Sequence, residues 1–204
     1  MKKYQFSSKN MVRIIIYENL KKEESFMAKI VILTGSPHFN GASQKLADSF
    51  EKGIKEAGNE VYRYDAGLQG ESEPHFLQLE HAPGMEFGIP DNDVVEKEVI
   101  PKLLAADVVV LVSSLYYFGL NAQLKTVIDR FYDYNHELKD KKMIFMMAGY
   151  GTQEDMDAVK LHIEKLSSYM RWKMIYQIYV DDSWNEKKLE KFAQKAYNLG
   201  KSIK

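Results

Sequence analysis

Ten consecutive residues, Thr34-Gly35-Ser36-Pro37-His38-Phe39-Asn40-Gly41-Ala42-Ser43, carry the densest chemistry in the chain. Glycines, hydroxyls and the start of a helix together make an anion site from backbone N–H groups and the positive end of the helix dipole. The stretch has no Walker lysine, which argues against a nucleoside triphosphate, and it lacks the three-glycine dinucleotide fingerprint. A phosphate monoester held by amides and hydroxyls suits it better, because such a site needs few positive charges to seat a dianion. The same residues also suit a plain capped helix, with Ser43 or Asn40 as the N-cap.

Two further stretches are chemically unusual. Ser113-Ser114-Leu115-Tyr116-Tyr117-Phe118-Gly119 places three successive aromatics after an apolar run. They cannot all point into a core, so some must stand free to meet a planar ring; a hydrophobic loop or a subunit contact is the other reading. Ala148-Gly149-Tyr150-Gly151-Thr152 offers two glycines whose amides a ligand can approach closely, or simply a turn with a helix starting at Thr152.

What positions these stretches is an alternation of strands and helices. Residues 29–34 form a β-branched run ending at Gly35, the pattern of a strand buried on both faces. Leu46, Phe50, Ile54 and Ala57 then mark a helix over 43–57, with Gly58 suited to a left-handed C-cap. The spacing predicts a peripheral strand over 60–65, an irregular connection over 67–91, and a helix over 93–106 that Pro101 kinks or divides. A central strand over 107–112 and an amphipathic helix over 119–134 follow, with Lys125 and Asp129 paired on its outer side. Strands over 143–148 and 173–180 and helices over 155–170 and 186–201 complete the pattern. The fold class is α/β, a parallel sheet covered by helices on both faces.

In such a sheet, ligands bind outside the carboxyl ends of the strands, where the strand order reverses. The phosphate, aromatic and glycine loops follow the first, third and fourth strands. That arrangement suits FMN, its phosphate and ring spanning the crevice.

Composition narrows the field. The 204 residues are 45% hydrophobic, enough for one domain with a real core, and hold no cysteine. Disulfide scaffolds, thiolate zinc sites and cysteine-ligated iron–sulfur clusters are excluded. A formal charge of −1 gives no basic footprint for nucleic acid, and no apolar run approaches the roughly 20 residues that span a bilayer. A soluble, cytoplasmic domain is expected. His75, Glu80 and His81 match no known metal spacing, so no metal is expected.

Residues 1–26 differ from the rest, with one short apolar run from Val12 to Tyr17 and no signal-peptide cleavage site. Lys21-Lys22-Glu23-Glu24 can be encoded by a purine run resembling a ribosome-binding site ahead of Met27. Translation is therefore expected to start at Met27, leaving 27–204 as the domain. A mobile arm or an extra edge strand is the alternative. The extension holds six basic and three acidic residues, so 27–204 carries 22 and 26, a net −4.

Residues 29–203 resemble flavodoxin-fold, NAD(P)H-dependent FMN reductases. The resemblance rests on Gly35-Ser36-Pro37 through Asn40-Gly41 and Ser43, on Leu115-Tyr116-Tyr117-Phe118, on Ala122-Gln123-Leu124-Lys125 and on Ile128-Asp129-Arg130. It implies a five-stranded parallel sheet of order 2-1-3-4-5 in a three-layer sandwich, FMN as cofactor and NAD(P)H as co-substrate. By that resemblance Ser36, His38, Asn40, Gly41, Ala42 and Ser43 surround the phosphate. Leu115, Tyr116, Tyr117, Phe118 and Gly149, Tyr150 and Gly151 flank the ring. The chain departs from the family at His38, Ala42 and Leu115, where Arg, Asn and Pro are common. A histidine contact makes the phosphate grip pH-dependent near neutrality.

The flavin itself carries the hydride chemistry, so no acid–base side chain is demanded. The reading is an oxidoreductase passing electrons from NAD(P)H to a quinone, flavin, azo or nitro compound. A flavodoxin-type electron carrier and a flavin-free interaction module are the alternatives. A carrier relies on a strongly acidic face, which a net −4 does not supply. A phosphoacceptor receiver needs acidic residues where Thr34-Gly35-Ser36 and Ser113-Ser114 stand. The helix over 119–134 and its Phe131-Tyr132-Asp133-Tyr134 end suggest a homodimer or tetramer contact.

Overall fold

The computed structural model describes residues 27–68, 74–77 and 92–204. Residues 1–26, and with them the start-site reading, lie outside it, as do Glu80 and His81.

Strand β1 (Lys29–Thr34) leads into helix α1 (Ala42–Glu56), and β2 (Glu60–Asp65) returns beside it. A π-turn over Val95–Val99 precedes α2 (Ile100–Ala105). Strand β3 (Val108–Tyr116), a two-residue β4 (Gly119–Leu120), α3 (Ala122–Asp129) and a 3-10 turn (Arg130–Tyr134) follow. Then come β5 (Lys142–Ala148), α4 (Asp157–Tyr169), β6 (Lys173–Val180) and α5 (Glu186–Ser202). Five strands run parallel in the order β2-β1-β3-β5-β6, and β4 pairs antiparallel with the end of β3. Apart from that added strand, this is the expected order and class: a flavodoxin-like α/β fold.

The β-branched runs of β1 and β3 are in direct register, Ile30 opposite Val108 through Thr34 opposite Val112. Because successive side chains point to opposite faces, both faces of these strands must be covered. On one face Ile30, Ile32, Val110 and Ile144 meet Leu46, Phe50 and Ile54 of α1 and Ala196 of α5. On the other, Val31, Leu33, Val109 and Phe145 meet Leu103, Leu124, Val127 and Ile163 from α2, α3 and α4. Burying one such side chain is worth about 1.5–3 kcal/mol, so truncating Phe145 at the centre of the sheet would open a costly cavity.

Two expectations are corrected. The helix over 119–134 is instead β4, α3 and a 3-10 turn, because β3 runs on to Tyr116 and folds back through Tyr117 and Phe118. Both turn residues adopt left-handed φ, 46° and 61°. Leu115 and Tyr116 are thus strand residues rather than loop residues. The helix over 93–106 is divided near Pro101, as its proline implied: Pro101 has no N–H to bond the Lys97 carbonyl, and the turn ahead of it widens to the π form. Phe131 is buried against Trp172 rather than presented to a partner, whereas Tyr132 is exposed. Gly58 does take a left-handed φ of 81°, and Lys125 pairs with Asp129 as the spacing implied.

Candidate functional site

The carboxyl ends of β1, β3, β5 and β6 converge at one edge of the sheet, and their loops are joined to one another. The β1 loop turns through Asn40, left-handed at φ 59°, so that Gly41 and not Ser43 or Asn40 becomes the N-cap of α1. Among the described residues no side chain caps this helix. The first intrahelical bond runs from the Lys45 amide to the Gly41 carbonyl at 3.0 Å, so the amides of Ala42, Ser43 and Gln44 precede the helical ladder. A fifteen-residue helix with no acidic side chain in its first turn directs its positive dipole into the loop.

The hydroxyls converge from the sides. Ser36 and Ser43 are both buried. Ser36 Oγ accepts from the His38 amide at 3.3 Å, and Ser43 Oγ lies 3.0 Å from Ser114 Oγ at the end of β3. The turn is tight around Gly41: a Cβ there would sit 3.0 Å from His38 Cβ and 3.1 Å from its carbonyl oxygen. The residues and spacing therefore fit a phosphate dianion held by amides and hydroxyls, with His38 as the lone side chain of the loop that can carry positive charge. His38 Nε2 meets the Tyr116 hydroxyl at 3.0 Å, joining the β1 loop to the β3 hairpin.

Beneath the loop lies a polar network that sequence inspection missed. Thr34 Oγ1 donates to Asp65 Oδ1 at 2.6 Å and accepts from Gln44 Nε2 at 3.3 Å. Arg63 gathers Asp48, Glu51, Asp65 and Gln44. Burial pushes the Glu51 carboxyl up, but hydrogen bonds from Lys55 and Arg63 outweigh it and hold it below its ordinary value. Gly67 packs directly on the loop backbone, where a Cβ would lie 2.5 Å from the Ser36 carbonyl oxygen and 2.6 Å from that of Gly35. A bare glycine between loops carries no signal in one sequence.

The aromatic hairpin is exposed as its composition required: Tyr117 is 99% accessible, with Phe118 and Tyr116 partly so. The glycine loop differs from expectation in one respect. The Gly149 amide is not free, because it bonds the Val180 carbonyl at 3.0 Å. The Gly149 and Gly151 carbonyls in turn accept from Ser183 at 3.0 Å and Asp182 at 3.2 Å, which docks the β6 loop onto this one. Thr152 does not start a helix; its amide and hydroxyl bond Asp155 Oδ2 at 2.6 and 3.0 Å. Ser36, His38, Ser43, Tyr116 and the Gly149–Gly151 loop thus belong to one edge. The His75 carbonyl is held by Arg130 at 3.0 Å. Among the described residues no group of three or more His, Asp or Glu is arranged for a metal, and no helix is long and apolar enough to cross a membrane.

Residues 28–186 match the family described as NADPH-dependent FMN reductase. The chain belongs to that family. An iron-sulfur flavoprotein of Archaeoglobus fulgidus is 28% identical over 136 residues, 63% of this chain and 58% of that protein. The chain therefore spans somewhat over half the length of that relative, and it holds no cysteine to ligate a cluster. An NAD(P)H:quinone oxidoreductase from Methanothermobacter marburgensis superimposes with a TM-score of 0.62 at 16% identity, over 86% of this chain and 95% of that one. Smu.1420 from Streptococcus mutans gives 0.66 at 16% identity, over 85% and 99%. These two likenesses are of fold.

Proposed function

We propose that this protein takes electrons from NAD(P)H and delivers them, by way of FMN, to a small oxidant: a quinone, free flavin, azo or nitro compound. The observation that carries the reading is the uncapped N-terminus of α1 behind a loop of buried hydroxyls. Ser36, Asn40, Gly41, Ala42 and Ser43 hold the phosphate, and His38 joins them by leaving Tyr116. Leu115, Tyr116, Tyr117 and Phe118 and the loop of Gly149, Tyr150 and Gly151 flank the ring and keep water from it.

Bound FMN supplies the two-electron relay. For a quinone the balance is NAD(P)H plus a quinone plus one proton, giving NAD(P)+ and the hydroquinone, with that proton drawn from solvent. The chain's own residues bind, orient and shield. A cytoplasmic homodimer or tetramer belongs to the same reading, with the apolar cavity of about 490 Å³ between α3 and α4 as the contact face.

The test is to add FMN to the purified protein and then NADPH alone, followed by a quinone. Bleaching of the flavin colour by NADPH and its return with quinone are expected. Reduction only through a partner reductase would make the protein a carrier, and failure to take up FMN would make it a flavin-free module.

A further inference from the structure

The chain has two tryptophans, and they lie in opposite circumstances. Trp172 is 4% exposed, its Nε1 bonded to the Leu138 carbonyl. Trp184 is 80% exposed, on the short turn between β6 and α5 at the functional edge of the sheet. An exposed indole on a flexible loop would mean little. This one is held in place. Asp182 takes a left-handed φ of 49° and donates to the Gly151 carbonyl, and the Ser183 amide donates to Gly149. The turn closes with the Asn185 amide on the Asp182 carbonyl at 2.9 Å. Asn185 then caps α5 by accepting from the Lys188 amide at 3.1 Å.

The indole also has a partner. Its ring centroid is 6.4 Å from that of Tyr150, itself 76% exposed, with the planes at 82°. Edge-to-face packing of this kind is a favoured arrangement of two aromatic rings. Here it leaves a right-angled aromatic corner open to solvent beside the glycine loop. A flat ring laid on one plane meets the other at its edge, at a reduced cost in side-chain entropy because the two rings already pack on one another over a hydrogen-bonded backbone.

Charge around the corner limits what it takes. Asp155 lies against Gly151, and Asp181 and Asp182 precede Trp184; of the three, Asp181 alone is paired with a lysine, Lys188 at 2.6 Å. These carboxylates disfavour an anionic substituent such as a sulfonate on the stacked ring and leave neutral, electron-poor rings as the fitting ligand. We infer that Trp184, propped by Tyr150, is the specificity-determining residue for the electron acceptor, selecting planar uncharged aromatic oxidants such as naphthoquinones and nitroarenes. This rests on the oxidoreductase reading above.

The test uses the full chain supplied with FMN, in wild type, Trp184→Ala and Trp184→Phe. With 2-methyl-1,4-naphthoquinone, KM should rise about three- to tenfold in the alanine variant at unchanged kcat, the share expected of one aromatic pair, and phenylalanine should restore most of it. A sulfonated naphthoquinone should have a higher KM than the neutral one in wild type. Ferricyanide, which has no ring, should show one KM in all three proteins. A second readout needs no turnover: the neutral quinone should saturably quench indole emission in wild type but not in Trp184→Phe, where only Trp172 emits. An unchanged naphthoquinone KM in Trp184→Ala, or quenching that persists in Trp184→Phe, overturns the assignment of Trp184. Failure to take up FMN or to be reduced by NADPH overturns the oxidoreductase reading instead, and the quenching titration still reads Trp184 in that case.

Discussion

The imidazole of His38 and the phenol of Tyr116 meet at 3.0 Å although 78 residues separate them, closing the crevice between the β1 loop and the β3 hairpin. This contact occupies the only side chain of the phosphate loop able to become cationic. His38→Arg should bind FMN about tenfold more tightly than wild type, as a charge-assisted bond is worth about 1.5–3 kcal/mol. Flavin titrations of both proteins check this; equal affinities would separate His38 from the phosphate.

Gly67 supplies a second check that does not touch a ligand. Its absent Cβ would collide with the backbone oxygens of Gly35 and Ser36, which have no rotamer to yield. Gly67→Ala should therefore displace the phosphate loop, costing about 1–3 kcal/mol of stability and weakening FMN binding beyond tenfold. Denaturant midpoints and FMN titration on the same variant read the two effects.

Arg130 is fully buried and pairs with Asp93, while donating to the carbonyls of Thr126 at 2.8 Å and His75 at 3.0 Å. Burial pushes the Asp93 carboxyl up, but Arg130 and the amides of Glu96 and Val95 hold it below its ordinary 3.8. A carboxyl depressed by folding gives stability that is complete above its unfolded value and lost as pH falls through the folded one. Wild type should therefore lose stability on acidification below about pH 4, and Asp93→Asn should lose less over that window. At neutral pH Asp93→Asn should be about 3–5 kcal/mol less stable, because it strands a buried guanidinium. Urea midpoints as a function of pH measure both.

The exposed pair Lys125–Asp129 makes the contrast. Its two side chains are 43% and 38% accessible, one helical turn apart. Solvent screens such a pair, and Asp129→Asn should cost no more than about 0.5 kcal/mol in the same urea assay.

Much of this architecture is legible in the sequence because burial on both faces writes continuous apolar runs, as in Lys29–Thr34 and Val108–Val112. The phosphate loop is legible for the same kind of reason, since glycines and hydroxyls ahead of a helix have a local cause. The β3 hairpin is not. Its turn sets Tyr117 and Phe118 at left-handed φ, a conformation usually marked by glycine or asparagine, and Leu120, Leu124, Val127 and Ile128 imitate one longer helix. The floor of the site is also hidden. Arg63 with Asp48, Gly67 on Ser36, and Asp93 under Arg130 are partnerships across distant segments, and nothing in local spacing announces them. Trp184 acquires meaning only once the β6 loop is seen docked on Gly149 and Gly151.

Seating of a phosphate at the N-terminus of α1 is tested most directly by titrating the protein with FMN and with riboflavin, which differ by that group alone. FMN should bind on the order of a hundredfold more tightly, the return of about two charge-assisted hydrogen bonds from Ala42, Ser43 or the neighbouring hydroxyls. Equal affinity for the two flavins would contradict it.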